Sequence, residues 1–179
     1  MKLNMEQATV ENRFWNQVCI LAREAFPPEE YLAPEKLLEM ANAENFDFWI
    51  LTDGNTFAGF MVAQTYGNLA YLFFLAIDAA CRSKGYGGHA IKALKTAYPD
   101  KKQVVDFEML DTTSDNYTQR VKRREFYLRN GYKETGLFLS YLGVDYEVFC
   151  MDDAFDEAEF KGMMKTIQVD GFNPQYFRR

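Results

Sequence analysis

The chain has 179 residues, 48% of them hydrophobic and 16% aromatic, with a formal net charge of -6. This is enough chain for one well-buried core and the balance of an ordered globular protein, so a single domain over 1–179 is expected. The acidity argues against a general nucleic-acid binder, and no apolar run reaches the ~20 residues that span a bilayer or forms a signal peptide, so a cytoplasmic protein with no membrane partner is expected. Cys19, Cys81 and Cys150 form no Cys-x-x-Cys pair, and His89 is the only histidine. No disulfide framework and no metal site are therefore expected.

Residues 11–26 place Phe14, Val18, Leu21, Ala22 and Ala25 on one side at helical spacing, and Pro27 and Pro28 stop the helix. A second helix is predicted from Pro34 to about Ala43, with Leu37, Leu38 and Met40 inward. The runs 46–52 and 56–66 flank Asp53-Gly54-Asn55, a turn whose residues tolerate positive φ, and so read as a hairpin. A third strand over 69–78 completes a meander. It is apolar on both faces, as a central strand covered by helices on either side needs to be.

Next comes DAACRSKGYGGHAI, residues 78–91, and then a helix over 87–98 with Ile91 and Leu94 inward. The strand at 103–110 is reached by this helical crossover and is expected to run parallel to its predecessor. A helix over 114–130 follows, then strands at 132–142 and 144–151 that meet as a hairpin at Gly143. The tail from Asp152 is too weakly patterned to assign.

Strand, glycine turn and helix in that order make an anion site, because N–H groups at the turn and helix start have no partner of their own. Two cofactors compete for it. Gly85-Tyr86-Gly87-Gly88-His89-Ala90 fits G-x-G-x-x-A, and Asp106 lies about 20 residues beyond, as an NAD(P)-binding fold requires. Against NAD(P), such a turn usually opens its fold, whereas here a helix pair and an antiparallel meander precede it.

Read from Arg82, the segment Arg82-Ser83-Lys84-Gly85-Tyr86-Gly87 resembles the R/Q-x-x-G-x-G/A signature of the GNAT superfamily of acetyl-CoA-dependent N-acetyltransferases. Glu125 to Tyr132, EFYLRNGY, resembles that family's second motif, and the order of elements over 11–151 matches as well. The resemblance implies an α/β (α+β) fold with a mixed, mostly antiparallel central sheet and helices on both faces. It implies acetyl-CoA as co-substrate, with its pyrophosphate on the backbone of Arg82, Ser83, Lys84, Gly85, Tyr86, Gly87 and Gly88 and its pantetheine arm along Leu75, Ala76 and Ile77. The side chains of Arg82 and Lys84 can add charge to the phosphates or stay solvated. By family analogy the chain can also form a homodimer.

The implied reaction is direct transfer of an acetyl group to a primary amine in a ternary complex. Tyr127 stands where the family carries its general acid, and a phenol near ~10 suits a leaving thiol near ~8.5. No acidic residue lies in the central strand, where many relatives keep a glutamate. Asp106 and Glu108 share a strand face by period two, with Glu108 the leading base; Asp145 and Glu147 share another and can grip a cationic acceptor. Arg120 and Arg123 replace the asparagine and alanine common in relatives. With Lys122 and Arg124 they form a basic cluster, either a contact for the 3′-phosphate of CoA or a solvated helix face. Trp15, Phe26, Tyr31 and Trp49 pack the core or line an acceptor pocket. The competing class is an acyl-CoA-binding sensor that has lost turnover, and it would have no use for Tyr127.

Overall fold

The apolar runs between turns form the strands of an eight-stranded sheet, in the order β1-β2-β3-β4-β5-β7-β6-β8. The computed structural model describes residues 3–42 and 45–179. The elements in chain order are β1 (Leu3–Gln7), α1 (Trp15–Ala25), α2 (Pro34–Ala41), β2 (Phe46–Asp53), β3 (Thr56–Tyr66) and β4 (Leu69–Ile77). After a 3-10 turn at Ala79–Cys81 come α3 (Tyr86–Ala97), β5 (Lys102–Glu108), α4 (Tyr117–Arg129), β6 (Lys133–Tyr141), β7 (Val144–Cys150), α5 (Glu157–Met164) and β8 (Gln175–Arg178). As expected from the crossover through α3, β4 and β5 pair parallel, while β1–β2, β2–β3, β5–β7, β6–β7 and β6–β8 are antiparallel.

Several boundaries differ from the sequence reading. Helix α1 opens at Trp15 and not at residue 11, because Asn12 takes the Phe14 N–H on its side chain at 2.9 Å and the Trp15 N–H on its carbonyl at 2.9 Å, closing a turn first. The predicted end of α2 at Ala43 lies outside the described residues. Strand β1 was not anticipated. Nor were the tail elements: α5 is only eight residues long, capped by Asp156 accepting from the Glu159 N–H at 2.9 Å, and it buries Phe160, Met163 and Met164.

The chain forms two compact units, Met1–Thr65 with Leu72–Pro99, and Tyr66–Tyr71 with Asp100–Arg179; β4 contributes to both. In the first unit, Val18, Leu21 and Leu37 of the helix pair join Phe48, Ile50, Phe60, Val62, Phe74 and Ala76 in one apolar cluster. These strand residues alternate, so the same strands turn Trp49 to the opposite face, where its ring meets Tyr98 at the end of α3. Helices thus cover both faces of this unit's strands. Trp15 packs on Phe48, and Phe26 on Phe60 and Phe74, so these two rings belong to the core.

In the second unit, α4 and α5 flank the strands in the same manner. Phe107 stacks on Tyr127 of α4 at 5.1 Å, while Tyr71 meets Phe160 of α5 at 6.2 Å. The parallel pairing of β4 with β5 covers Leu69–Tyr71 against Lys102–Val104.

A β-bulge lies in the first unit where Leu51 pairs with Gly59 and Thr52 with Phe57, leaving Ala58 as the extra residue. Gly59 sits at φ +151, and a Cβ there would fall 2.1 Å from the carbonyl oxygen of Ala76 on β4. The backbone oxygen has nowhere to retreat within a sheet. Gly59→Ala is accordingly expected to cost roughly 3 kcal/mol of unfolding free energy, read as a lowered midpoint in urea with an unchanged m-value.

Candidate active site

The glycine turn that joins β4 to α3 is shaped by its backbone. Ser83 and Gly85 both adopt positive φ, +60 and +90, and Gly85 is the N-cap of α3 in the left-handed region where a glycine is cheapest. The first helical bond runs from the His89 N–H to the Gly85 carbonyl. The N–H groups of Tyr86, Gly87 and Gly88 therefore precede the helical ladder and are available to an anion.

The turn's side chains fold back onto the first unit. Arg82 donates from Nε to the Ile77 carbonyl at 3.0 Å, and Lys84 from Nζ to the Ala80 carbonyl at 2.6 Å. Asp78 accepts from the Ala80 N–H at 2.9 Å, and the Tyr86 hydroxyl donates to Asp53 Oδ2 at 2.9 Å. Cys81 is buried with its thiol pointed at the Phe57 carbonyl; burial pushes that thiol up, away from the reactive thiolate form. The structure thus brings Leu75, Ala76 and Ile77 and the turn 82–88 together in the first unit. The basic side chains expected to reach outward serve here as braces.

The expected catalytic residues stand in the second unit. Tyr127, on the last turn of α4, is 7% exposed, with its ring between Phe107 and Tyr132. Burial pushes its phenol up to about 12; the nearby Arg123 charge opposes this and Asp106 adds to it. The group is protonated throughout the neutral range.

Glu108 ends β5 at 5% exposure, and both its oxygens are engaged. Arg123 pairs with Oε2 at 2.7 Å, Arg120 with Oε1 at 3.1 Å, and Asn116 donates to both at 3.0 and 3.2 Å. Arg120 also reaches the Asn116 side chain and the Met109 carbonyl. One turn along, Arg124 pairs with Glu147 at 3.0 Å and with Glu134, its guanidinium lying over Phe149. The arginines of the basic cluster are therefore ion-paired while staying partly exposed.

Asp106, two residues before Glu108, meets different partners. The hydroxyls of Tyr71 and Tyr141 each donate to it, the latter at 3.0 Å, and burial holds its carboxyl above the usual range while those two bonds pull it back. The expectation that Asp106 and Glu108 act from one face is not reflected in their contacts, since Glu108 is drawn to α4. Asn116 and the tyrosine pair were not anticipated, because they lie far from these carboxylates in sequence or carry no motif.

An open cavity of about 510 Å³ lies in this unit, bounded by Met109–Thr112 after β5, Gly143–Asp145 at the β6–β7 turn, Arg120 and Arg179. The charge of Arg120 is answered by Glu108. Asp145 lines the cavity with no hydrogen bond or ion pair to its carboxylate among the described residues. No helix among the described residues is long and apolar enough to cross a membrane.

A family model described as the acetyltransferase (GNAT) family matches residues 15–132. A search of curated proteins found no relative matching the sequence. Among solved structures, a GNAT-family protein from Bacteroides thetaiotaomicron is similar at 21% identity and a TM-score of 0.68, covering 89% of this chain and 92% of that one. The aminoglycoside 6′-N-acetyltransferase from Enterococcus faecium is similar at 18% identity and a TM-score of 0.63, covering 87% and 100%. A GNAT-family acetyltransferase from Elizabethkingia anophelis, solved with acetyl-CoA bound, is similar at 12% identity and a TM-score of 0.57, covering 84% and 97%. At these identities the likeness is one of fold.

Removing one partner of a buried charge pair costs more than the pair itself contributes, because the other charge is left without an answer. Glu108→Ala should lower the unfolding free energy by roughly 3–5 kcal/mol, with Glu108→Gln less damaging, as measured by denaturant unfolding.

Proposed function

The chain belongs to the acetyltransferase (GNAT) family, and on that premise we propose that it transfers an acetyl group from acetyl-CoA directly to a primary amine. One observation carries the cofactor half of this reading. The family's signature segment here carries a left-handed glycine, Gly85, followed by three N–H groups that precede the helical ladder, which is an anion cradle in the form a pyrophosphate needs. In this reading Arg82 to Gly88 hold the pyrophosphate through the backbone, and Leu75, Ala76 and Ile77 offer backbone groups to the pantetheine arm.

Chemistry then requires an uncharged amine, attack on the thioester carbonyl, cleavage of the carbon–sulfur bond and a proton for the leaving thiolate. Tyr127 supplies that proton. Burial keeps its phenol protonated at neutral pH, a neutral thiol is the product, and the proton that the nitrogen sheds as the amide forms restores the phenol through water. Glu108 is committed to Arg120, Arg123 and Asn116, so we assign it to positioning α4; the ammonium proton leaves through water instead. The acceptor is a cationic amine. The Asp145 carboxylate at the cavity, without a hydrogen bond or ion pair among the described residues, supports that class, and the aminoglycoside-modifying neighbour is consistent with it.

Acetyl-CoA at about 100 times its dissociation constant should raise the melting temperature by roughly 5–10 °C, with NAD at the same concentration causing no shift. A shift with NAD alone would overturn the cofactor assignment. Tyr127→Phe keeps the ring that stacks on Phe107 and should preserve acetyl-CoA binding while lowering kcat about 100-fold, followed by thiol release. Full turnover in that variant would remove Tyr127 from the mechanism.

A further inference from the structure

Of the side chains in the glycine turn, those of Arg82 and Lys84 return to carbonyls only four or five residues away. Tyr86 behaves differently. It stands between Gly85 and Gly87, and its hydroxyl crosses to Asp53 on the β2–β3 hairpin, 33 residues away in sequence. Asp53 is the last residue of β2, paired with Leu3 of β1 on one side and Thr56 of β3 on the other, so the ladder fixes the acceptor from both sides. A carboxylate is a stronger acceptor than a neutral oxygen, and the bond holds the Tyr86 phenol above its ordinary value.

A carboxylate has the wrong charge to serve an anion cradle itself. Whatever Asp53 contributes must therefore pass through the phenol. The need for such a brace is visible in the backbone: Ser83 occupies the left-handed region that non-glycine residues avoid, and the glycines beside Tyr86 have no side chains with which to hold the turn.

We propose that the Tyr86–Asp53 hydrogen bond is a latch that holds the first turn of α3 in its pyrophosphate-binding conformation, which makes Asp53 a positioning residue for the cofactor. This rests on reading the turn as the acetyl-CoA site. The latch acts on the pyrophosphate and not on the pantetheine arm, whose expected contacts lie on β4. That division distinguishes it from a residue needed only for folding.

The test is equilibrium binding of CoA, and separately of S-acetylpantetheine, which lacks the pyrophosphate, to the full chain and to Tyr86→Phe, Asp53→Ala and Asp53→Asn. Tyr86→Phe and Asp53→Ala should weaken CoA about tenfold, equivalent to about 1.4 kcal/mol, and leave S-acetylpantetheine within about twofold. Asp53→Asn retains an acceptor oxygen and should recover most of the affinity. CoA binding unchanged in Tyr86→Phe overturns the latch while leaving the cofactor reading intact, and an equal loss for both ligands reduces the bond to general support of the fold. A wild-type chain that binds no CoA overturns the cofactor reading and the latch together. Should Asp53→Ala fail to fold, Tyr86→Phe and Asp53→Asn, which both preserve shape, decide the matter.

Discussion

Two carboxylates on adjacent strands, Glu108 of β5 and Glu147 of β7, hold α4 in place through Arg120, Arg123 and Arg124. Helices commonly dock by burying an apolar stripe, yet Tyr127 is the only buried residue of α4. Its attachment is therefore in good part electrostatic, with the Tyr127 ring as its apolar anchor. Removing charges from water is expensive, and the arrangement is tolerable only because each oxygen of Glu108 has more than one donor and because the Arg124 guanidinium also lies over an aromatic ring. The position of Tyr127 follows from this clamp, since the arginines fix the helix along the strands and the ring then stacks on Phe107.

The same clamp bears on the chemistry. A carboxylate bound on both oxygens by guanidinium groups is a geometric fixture, and assigning it to proton removal would require breaking the contacts that seat the helix. Most of the charge in this unit serves as support. Glu108 and Glu147 are answered by arginine and Asp106 by tyrosine hydroxyls, while the Asp145 carboxylate beside the cavity has no hydrogen bond or ion pair among the described residues. In the first unit the division is similar. The turn's cationic and phenolic side chains are bonded inward, and the backbone N–H groups remain for a ligand. An anion held by backbone is held at fixed geometry, with little side-chain entropy lost on binding.

The strands and helices from Trp15 to Cys150 were legible because their periods are strong and their boundaries carry proline, glycine and asparagine. The weak places have identifiable causes. Helix α5, as short as α2, has a weaker amphipathic pattern and no proline to mark its start, and β1 and β8 are stabilised by the strands beside them more than by their own composition. The α4 arginines read as a solvated face or a phosphate contact because charge runs usually are one or the other. What answers them comes largely from strands β5 and β7 and from Glu134 of β6, 10 to 23 residues away. Sequence spacing also put Asp106 and Glu108 on one face, and the pull of the arginines at the strand end gave them separate partners.

The sequence by itself determined the kind of elements, their order and the turn that can cradle an anion, since each depends on contacts within a few residues: helical or strand period, proline stops, and glycine at positive φ. Tertiary structure alone decided which charged groups are spent on support and which remain for ligands. That choice depends on burial and on partners distant in the chain, such as Asp53 for Tyr86 and Glu108 for Arg123. The free energy of a charge is set by its surroundings far more than by its neighbours in sequence.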